Sequence, residues 1–267
     1  MLWNVDRPSD VYEIHMGYRS AGSELITTNS FGGSSSMLSR HGLANRVEEL
    51  NRAAAQIARA AADEGGWVLG DVGPFGGFLE PVGDTTPDQL REIFRVQIEA
   101  LLAGGADAIL LETMSDPAEA VVGIEAAKAV NARVPVIVTY AFQKTAAGVF
   151  RTMMGLGVEE TMQRATDGGA QIVGANCGTR LDLRDYVELA KKIVSAAGDA
   201  YVIIEPNAGS PRTQGERIIY DATPDQMATA SSQLREAGVR IVGGCCGTTS
   251  DHVSAISRAL KGANSGR

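Results

Sequence analysis

Along the chain, short apolar runs of β-prone residues alternate with longer stretches whose apolar positions recur at helical spacing. Four of the runs share a prelude, a helix stop at glycine a few residues before the strand begins. They are Ala21-Gly22-Ser23-Glu24-Leu25-Ile26, Gly104-Gly105-Ala106-Asp107-Ala108-Ile109-Leu110, Gly168-Gly169-Ala170-Gln171-Ile172-Val173 and Ala237-Gly238-Val239-Arg240-Ile241-Val242. Trp67 to Val72, Val134 to Tyr140 and Tyr201 to Ile204 lack the prelude but have the same length and character, which predicts seven strands in all. Between them, Asn45 to Asp63, Pro87 to Ala103, Pro117 to Val130 and Leu183 to Ala196 carry helical periodicity.

Nearly continuous apolar strands separated by helices long enough to cross over predict an α/β protein, a parallel sheet covered by helices. A unit of roughly 30 to 40 residues fits a TIM-type (β/α)8 barrel better than an open sheet. Seven strands are one short of that barrel, and the shortfall lies at the N-terminus. Residues before Ser23 read as a helix, with Ser9 or Asp10 as its cap, Glu13 in its first turn and Gly22 at its end. A first strand, if there is one, is expected upstream of Met1. No linker divides the chain, so 1–267 reads as one barrel domain, with 262–267 as a loose tail.

Composition narrows the function. With 44% hydrophobic and 21% charged residues the chain is no disordered segment. Its 32 acidic against 24 basic residues, net −8 with no basic patch, argue against nucleic acid or a membrane surface as partner. There is no basic leader and no run of 18 apolar residues, so the expected location is cytoplasmic. The three cysteines are odd in number and two are adjacent, which does not fit a disulfide framework.

In such a barrel the chemistry is built at the carboxyl ends of the strands. Here those ends are polar: Thr27-Thr28-Asn29, Asp71, Glu112-Thr113, Thr139-Tyr140, Asn176-Cys177-Gly178, Glu205-Pro206-Asn207-Ala208-Gly209 and Gly244-Cys245-Cys246-Gly247. All three cysteines fall there. A closed barrel can present Cys177, Cys245 and Cys246 to one point, and three thiolates suit Zn2+ with its fourth tetrahedral position left open for catalysis. The competing readings are buried structural cysteines and a strained vicinal disulfide that leaves Cys177 unexplained. His15, within the first helix, and His41, in a loop, read as solvated; His252, at a helix start near the cysteine pair, reads as a residue supporting the ligands. Gly32-Gly33 and Gly76-Gly77 are not phosphate loops, since no Gly-Lys-Ser/Thr follows.

Gly174-Ala175-Asn176-Cys177-Gly178, Pro206-Asn207-Ala208-Gly209 and Gly243-Gly244-Cys245-Cys246-Gly247-Thr248-Thr249 resemble the homocysteine S-methyltransferase family, including the homocysteine-binding module of cobalamin-dependent methionine synthase. The resemblance spans nearly the whole chain, with Thr28-Asn29-Ser30-Phe31-Gly32 and Glu112-Thr113 similar to further family motifs. It implies a (β/α)8 barrel holding Zn2+ on Cys177, Cys245 and Cys246, with the homocysteine sulfur as fourth ligand and methionine as product. Among substrate-binding candidates, Glu112 either neutralises the substrate ammonium or pairs with a nearby arginine. Asn207 either meets zinc when substrate is absent or caps its turn, and Asn29 and Asp71 either line the mouth or satisfy loop donors.

Two features depart from or extend the family pattern. The Asp-Gly-x-x-Gly-Thr type motif of the family's first strand is absent, which leaves open a catalytically incomplete zinc-binding scaffold or subunit, or a methyltransferase for another thiol. Arg151-Thr152-Met153-Met154-Gly155 is similar to a segment of cobalamin-type enzymes and leans toward a methylcorrinoid donor arriving on a separate protein or as a small molecule, with betaine-type and S-methylmethionine-type donors left open; the Met153-Met154 pair itself reads as core packing. An unfilled first strand would leave two sheet edges exposed, so association into an oligomer stays open.

Overall fold

The computed structural model describes residues 1–215 and 217–262. Seven parallel strands form one curled sheet in chain order: β1 (Leu25–Thr27), β2 (Trp67–Val72), β3 (Ala108–Met114), β4 (Val136–Tyr140), β5 (Ile172–Asn176), β6 (Tyr201–Glu205) and β7 (Ile241–Val242). Every neighbouring pair is parallel, and among the described residues β1 and β7 each have a partner on one side only. This is a TIM-type barrel lacking one strand, as the periodicity predicts. The helices on its outside are α1 (Pro8–Ser20), α2 (Val47–Ala62), α3 (Pro87–Ala103), α4 (Pro117–Val130), α5 (Val158–Asp167), α6 (Leu183–Ala196), α7 (Pro224–Glu236) and α8 (Ser250–Gly262).

Local chemistry explains why the elements start and stop where they do. Thr86, Asp182 and Thr223 close capping boxes with Gln89, Asp185 and Gln226, and Asp116 caps α4, satisfying N–H groups that the first turn leaves free. At the other end, Gly22, Gly105, Gly169 and Gly238 all take φ between +98° and +106°, the left-handed turn that lets each helix double back into a strand. That shared backbone state is the physical content of the fourfold sequence pattern. The first helix differs from expectation: it begins at Pro8, whose ring presets the helical φ, so Ser9 and Asp10 lie inside the first turn and no side chain caps it. Of the expected tail, Gly262 closes α8, and 263–267 lie outside the described residues.

Each helix buries one stripe against the sheet, as α3 does with Leu90, Phe94, Ile98 and Leu101. Inside the barrel, Leu25, Leu69, Leu110, Ile137, Ile203 and Ile241 pack together as an apolar floor. Two short hairpins that periodicity did not reveal stand on the carboxyl rim, Phe142–Lys144 with Phe150–Thr152 and Arg212–Gln214 with Arg217–Ile219. Met153, just past the second strand of the first hairpin, is 68% exposed and its neighbour Met154 is exposed too, which corrects the expectation of core packing.

One buried carboxyl beside the sheet gives the fold a pH dependence. Glu119 of α4 accepts the Phe75 N–H at 2.8 Å, and burial pushes it up to about 7 against the opposing pull of that N–H. Its folded value exceeds the ordinary 4.5, so the native state holds the extra proton between about 4.5 and about 7. The stability this confers is full below the lower value and lost as pH rises through the upper one. Glu119→Gln keeps the acceptor and removes the ionisation. It is expected to be more stable than the parent at pH 8 by on the order of 1–3 kcal/mol, with the gap closing toward pH 5, in urea unfolding at both pH values.

Candidate functional site

Successive residues of a strand face opposite sides of a sheet, so two positions past each floor residue the chain again points into the barrel. On β2, β3 and β6 those positions are Asp71, Glu112 and Glu205, which set three carboxyl groups above Leu69, Leu110 and Ile203. Asp71 is thereby an interior residue, 3% exposed. Burial raises all three, with the charges of Glu112 and Glu205 adding to the effect for Asp71, that of Glu112 for Glu205, and that of Cys177 for Glu112. Glu112 rises to about 7 and Glu205 to about 8. Among the described residues, Asp71 Oδ1 and Glu205 Oε2 are buried without a hydrogen-bond partner, and Glu112 joins no ion pair. The layer is therefore acidic, unsatisfied and suited to a cation.

The three cysteines stand at the carboxyl end of this interior. Their sulfurs all lie within 4.8 Å of one another, and Cys246 Sγ is 3.9 Å from both Cys177 Sγ and Cys245 Sγ. All three are free thiols. Sulfurs bound at about 2.3 Å in a tetrahedral set are spaced by about 3.8 Å, so the cluster already has the dimensions of a three-sulfur metal site. The electrostatics agree. The hydrogen bond from Cys245 draws Cys177 down to about 6, while that bond pushes Cys245 up and burial pushes Cys246 up. One thiolate forms readily here, and three at once require a compensating cation.

A frame of hydrogen bonds holds these sulfurs. Asn207, 2% exposed, accepts the Cys246 N–H at 3.1 Å through Oδ1 and donates to Gly178 O at 3.4 Å through Nδ2, joining the two cysteine-bearing loops. Asn176 accepts the Thr113 N–H at 3.1 Å and donates to Thr113 Oγ1 at 2.7 Å and toward Cys245 Sγ at 3.8 Å. Thr113 and Cys177 take φ of +60° and +49°, a left-handed state that non-glycine residues adopt at a cost, and both flank this cluster. His252 Nδ1 accepts the Thr249 N–H at 3.2 Å, so Nε2 is the donor to Ala222 O at 2.8 Å. Ala222 N–H in turn reaches Ala208 O, and Ala208 N–H reaches Cys246 O.

Of the other expected positions, Asn29 lines the same cavity as Glu205 and Cys245, while the two remaining histidines lie away from the sulfurs. Asn29 is exposed, and its amide donates to Asn4 Oδ1 at 2.9 Å, fastening the N-terminal segment to the end of β1. His41 is solvated, but His15 is buried on the inner face of α1, with Nε2 unpartnered among the described residues, because α1 packs against the barrel. Glu205, Asn176 and Thr113 were not singled out from sequence. Their strand-end position was visible, but the signal that could have selected Glu205 was its two-residue offset from Ile203, the same offset that relates Asp71 to Leu69.

Comparison with known proteins gives a consistent family. The homocysteine S-methyltransferase family model matches residues 1–260. Methionine synthase of Mycobacterium leprae is 31% identical over 277 residues, covering 99% of this chain and 22% of its own length. Methionine synthase of Mycobacterium tuberculosis is likewise 31% identical, over 97% of this chain and 22% of its own. The chain thus spans about a fifth of these relatives. Among solved structures, the metallated form of the homocysteine methyltransferase MmuM from Escherichia coli superposes with a TM-score of 0.78 at 20% identity, covering 96% of this chain and 86% of that one.

Proposed function

The chain belongs to the homocysteine S-methyltransferase family, and on that premise we propose that it transfers a methyl group to the thiol of homocysteine, giving methionine. The observation that carries this reading is the set of three sulfurs within 4.8 Å of one another, in a barrel whose interior also holds three carboxyl groups, two of them with an unpartnered buried oxygen among the described residues. Cys177, Cys245 and Cys246 would hold Zn2+, which supplies Lewis acidity that turns a bound thiol, with an ordinary pKa of about 8.5, into a thiolate at neutral pH. The protein's own part is binding and orientation. Glu112, with Asp71 and Glu205, accepts the substrate ammonium, and the arrival of that cation favours the ionised carboxylates that burial disfavours. Asn176 and Asn207 fix the cysteine loops so that the sulfurs need not reorganise. The exposed Met153 and Met154 support a donor presented from outside the barrel, which we take to be a methylcorrinoid.

The test is a calorimetric titration of L-homocysteine into zinc-loaded protein in two buffers of different ionisation enthalpy. Binding with about one proton released near neutral pH is the expected result, and metal-free protein should release none. No binding to protein carrying one zinc per chain would overturn the homocysteine assignment. The unclosed wall between β1 and β7 favours a second reading, a barrel that binds zinc and thiol but does not turn over alone. Proton release on binding without methyl transfer, whatever donor is supplied, would mark that case.

A further inference from the structure

Each of the three sulfurs meets a polar donor from outside the trio. Asn176 Nδ2 reaches Cys245 Sγ at 3.8 Å, and Cys177 meets the Gly178 N–H and the Asn207 side chain. Cys246, the exposed member of the set, meets the hydroxyl of Tyr220. Burial and the charge of Cys177 push the Cys246 thiol up, and the hydrogen bond that Tyr220 donates pulls it back. Tyr220 belongs to none of the polar strand ends. It reaches the sulfurs only because a hairpin of the carboxyl rim folds back on itself.

Between β6 and α7 the chain runs out along Arg212–Gln214 and returns along Arg217–Ile219. The neck of this hairpin is closed by Ala222 N–H donating to Ala208 O at 3.0 Å, and it is fastened on both sides. Ala208 N–H donates to Cys246 O at 2.9 Å, and His252 Nε2 donates to Ala222 O at 2.8 Å. Arg212 pairs with Asp221 at 3.0 Å across the base, and Asp221 Oδ1 fills the space beside Gly209, 2.8 Å from where a Cβ would stand. Just before the neck stands Tyr220, half-buried, its ring laid on the glycine that follows Cys246. A Cβ at Gly247 would lie 2.3 Å from Tyr220 Cγ and 2.5 Å from its Cβ, so the ring rests directly on that backbone, whose φ of +80° also calls for glycine.

The ring is thus held by Gly247 beneath it and, through the neck, by Ala208 and His252. We propose that Tyr220 is a positioning residue of the sulfur set, its hydroxyl donating to Cys246 Sγ so that this exposed sulfur stays turned toward Cys177 and Cys245. The inference rests on the zinc reading of that set. Three thiolates outweigh the charge of one divalent cation, and an O–H donor on sulfur takes up part of the excess, which favours the metal-bound state. Cys177 and Cys245 are partly covered, whereas water reaches Cys246 freely. There a donor fixed by the fold replaces solvent that would draw the sulfur outward.

Tyr220→Phe keeps the ring on Gly247 and removes only the hydroxyl. The full chain and this variant are loaded in turn with Zn2+ and with Co2+, whose sulfur-to-metal charge-transfer absorption reports the electron density on the ligating sulfurs. Competition with a chelator is expected to show zinc held about tenfold more weakly by the variant. The Co2+ band should move to longer wavelength, because a sulfur without its donor gives up charge more easily. A merely structural loosening would weaken the metal without moving the band, and that result would overturn the proposal, as would a variant matching the parent in both affinity and spectrum. 3-Fluorotyrosine at position 220, a stronger donor of nearly the same shape, should move the band to shorter wavelength, and it decides the matter should the phenylalanine chain not fold. A parent chain that holds neither metal would remove the zinc reading and this inference together. A parent that holds both, with no response to either change at 220, would remove this inference alone.

Discussion

Replacing Cys246 with serine is expected to reduce bound zinc from about one per chain to a small fraction while leaving the fold intact. The loss is large because a four-ligand zinc site is worth about 10–16 kcal/mol in apparent binding, on the order of 3 kcal/mol per ligand, or a hundredfold to a thousandfold in affinity. The fold is spared because Cys246 is exposed and the bond that anchors its loop, Ala208 N–H to Cys246 O, is a backbone bond. Asn207→Ala offers a graded contrast. All three sulfurs remain, but the Cys246 N–H and the Gly178 carbonyl lose their shared partner, and removal of such an outer support weakens metal affinity by about 10- to 100-fold. Metal content after dialysis, together with competition against a chromogenic chelator, separates the two. Full zinc occupancy in the serine variant would show that Cys246 is not a ligand.

How far the sequence reaches is clearest where the local signals are strongest. The helices at Pro87–Ala103, Pro117–Val130 and Leu183–Ala196 have the bounds that the sequence predicts, because a capping side chain starts each one, joined by Pro87 and Pro117 in two of them. All seven strands are where apolar runs predict them, with ends shifted by at most a few residues. The rim hairpins escaped because three-residue strands have no periodicity to read. Burial of His15 escaped because it depends on where α1 docks, a tertiary fact. In the site, the cysteines were legible from residue type and strand-end position alone. The roles of Asn176 and Asn207 were not, since each is defined by the backbone group it reaches across 63 or 39 residues of chain. Chemistry that a residue carries in its side chain can be read from the sequence, whereas chemistry that consists of spanning two loops must be seen in the fold.

Gly174→Ala, a change of one methyl group, is expected to be among the most damaging substitutions in the barrel. Gly174 sits in β5 directly opposite Ile203 of β6, and a Cβ there would lie 1.7 Å from Ile203 O, 2.7 Å from its carbonyl carbon and 2.8 Å from Cγ2. Two of these are main-chain atoms, so no rotamer change relieves the collision and the strands themselves must part. Overpacking that side chains can absorb costs about 1–3 kcal/mol; a backbone collision should exceed that range. The damage would reach the site by both routes, since β5 leads into Asn176 and Cys177 and β6 into Glu205. Gly123→Ala is the matched control. Its Cβ would meet the Leu111 side-chain methyls at 2.8 Å and 2.9 Å, contacts that side-chain movement can relieve, and in α4 alanine gains about 1 kcal/mol of helix propensity over glycine. Chemical unfolding of the two variants should place Gly123→Ala within about 1.5 kcal/mol of the parent and Gly174→Ala more than about 3 kcal/mol below it, or insoluble. A Gly174→Ala protein of near-parental stability would mean that β5 and β6 do not approach as closely as this geometry requires, and the placement of Cys177 beside Cys245 and Cys246 would fall with it.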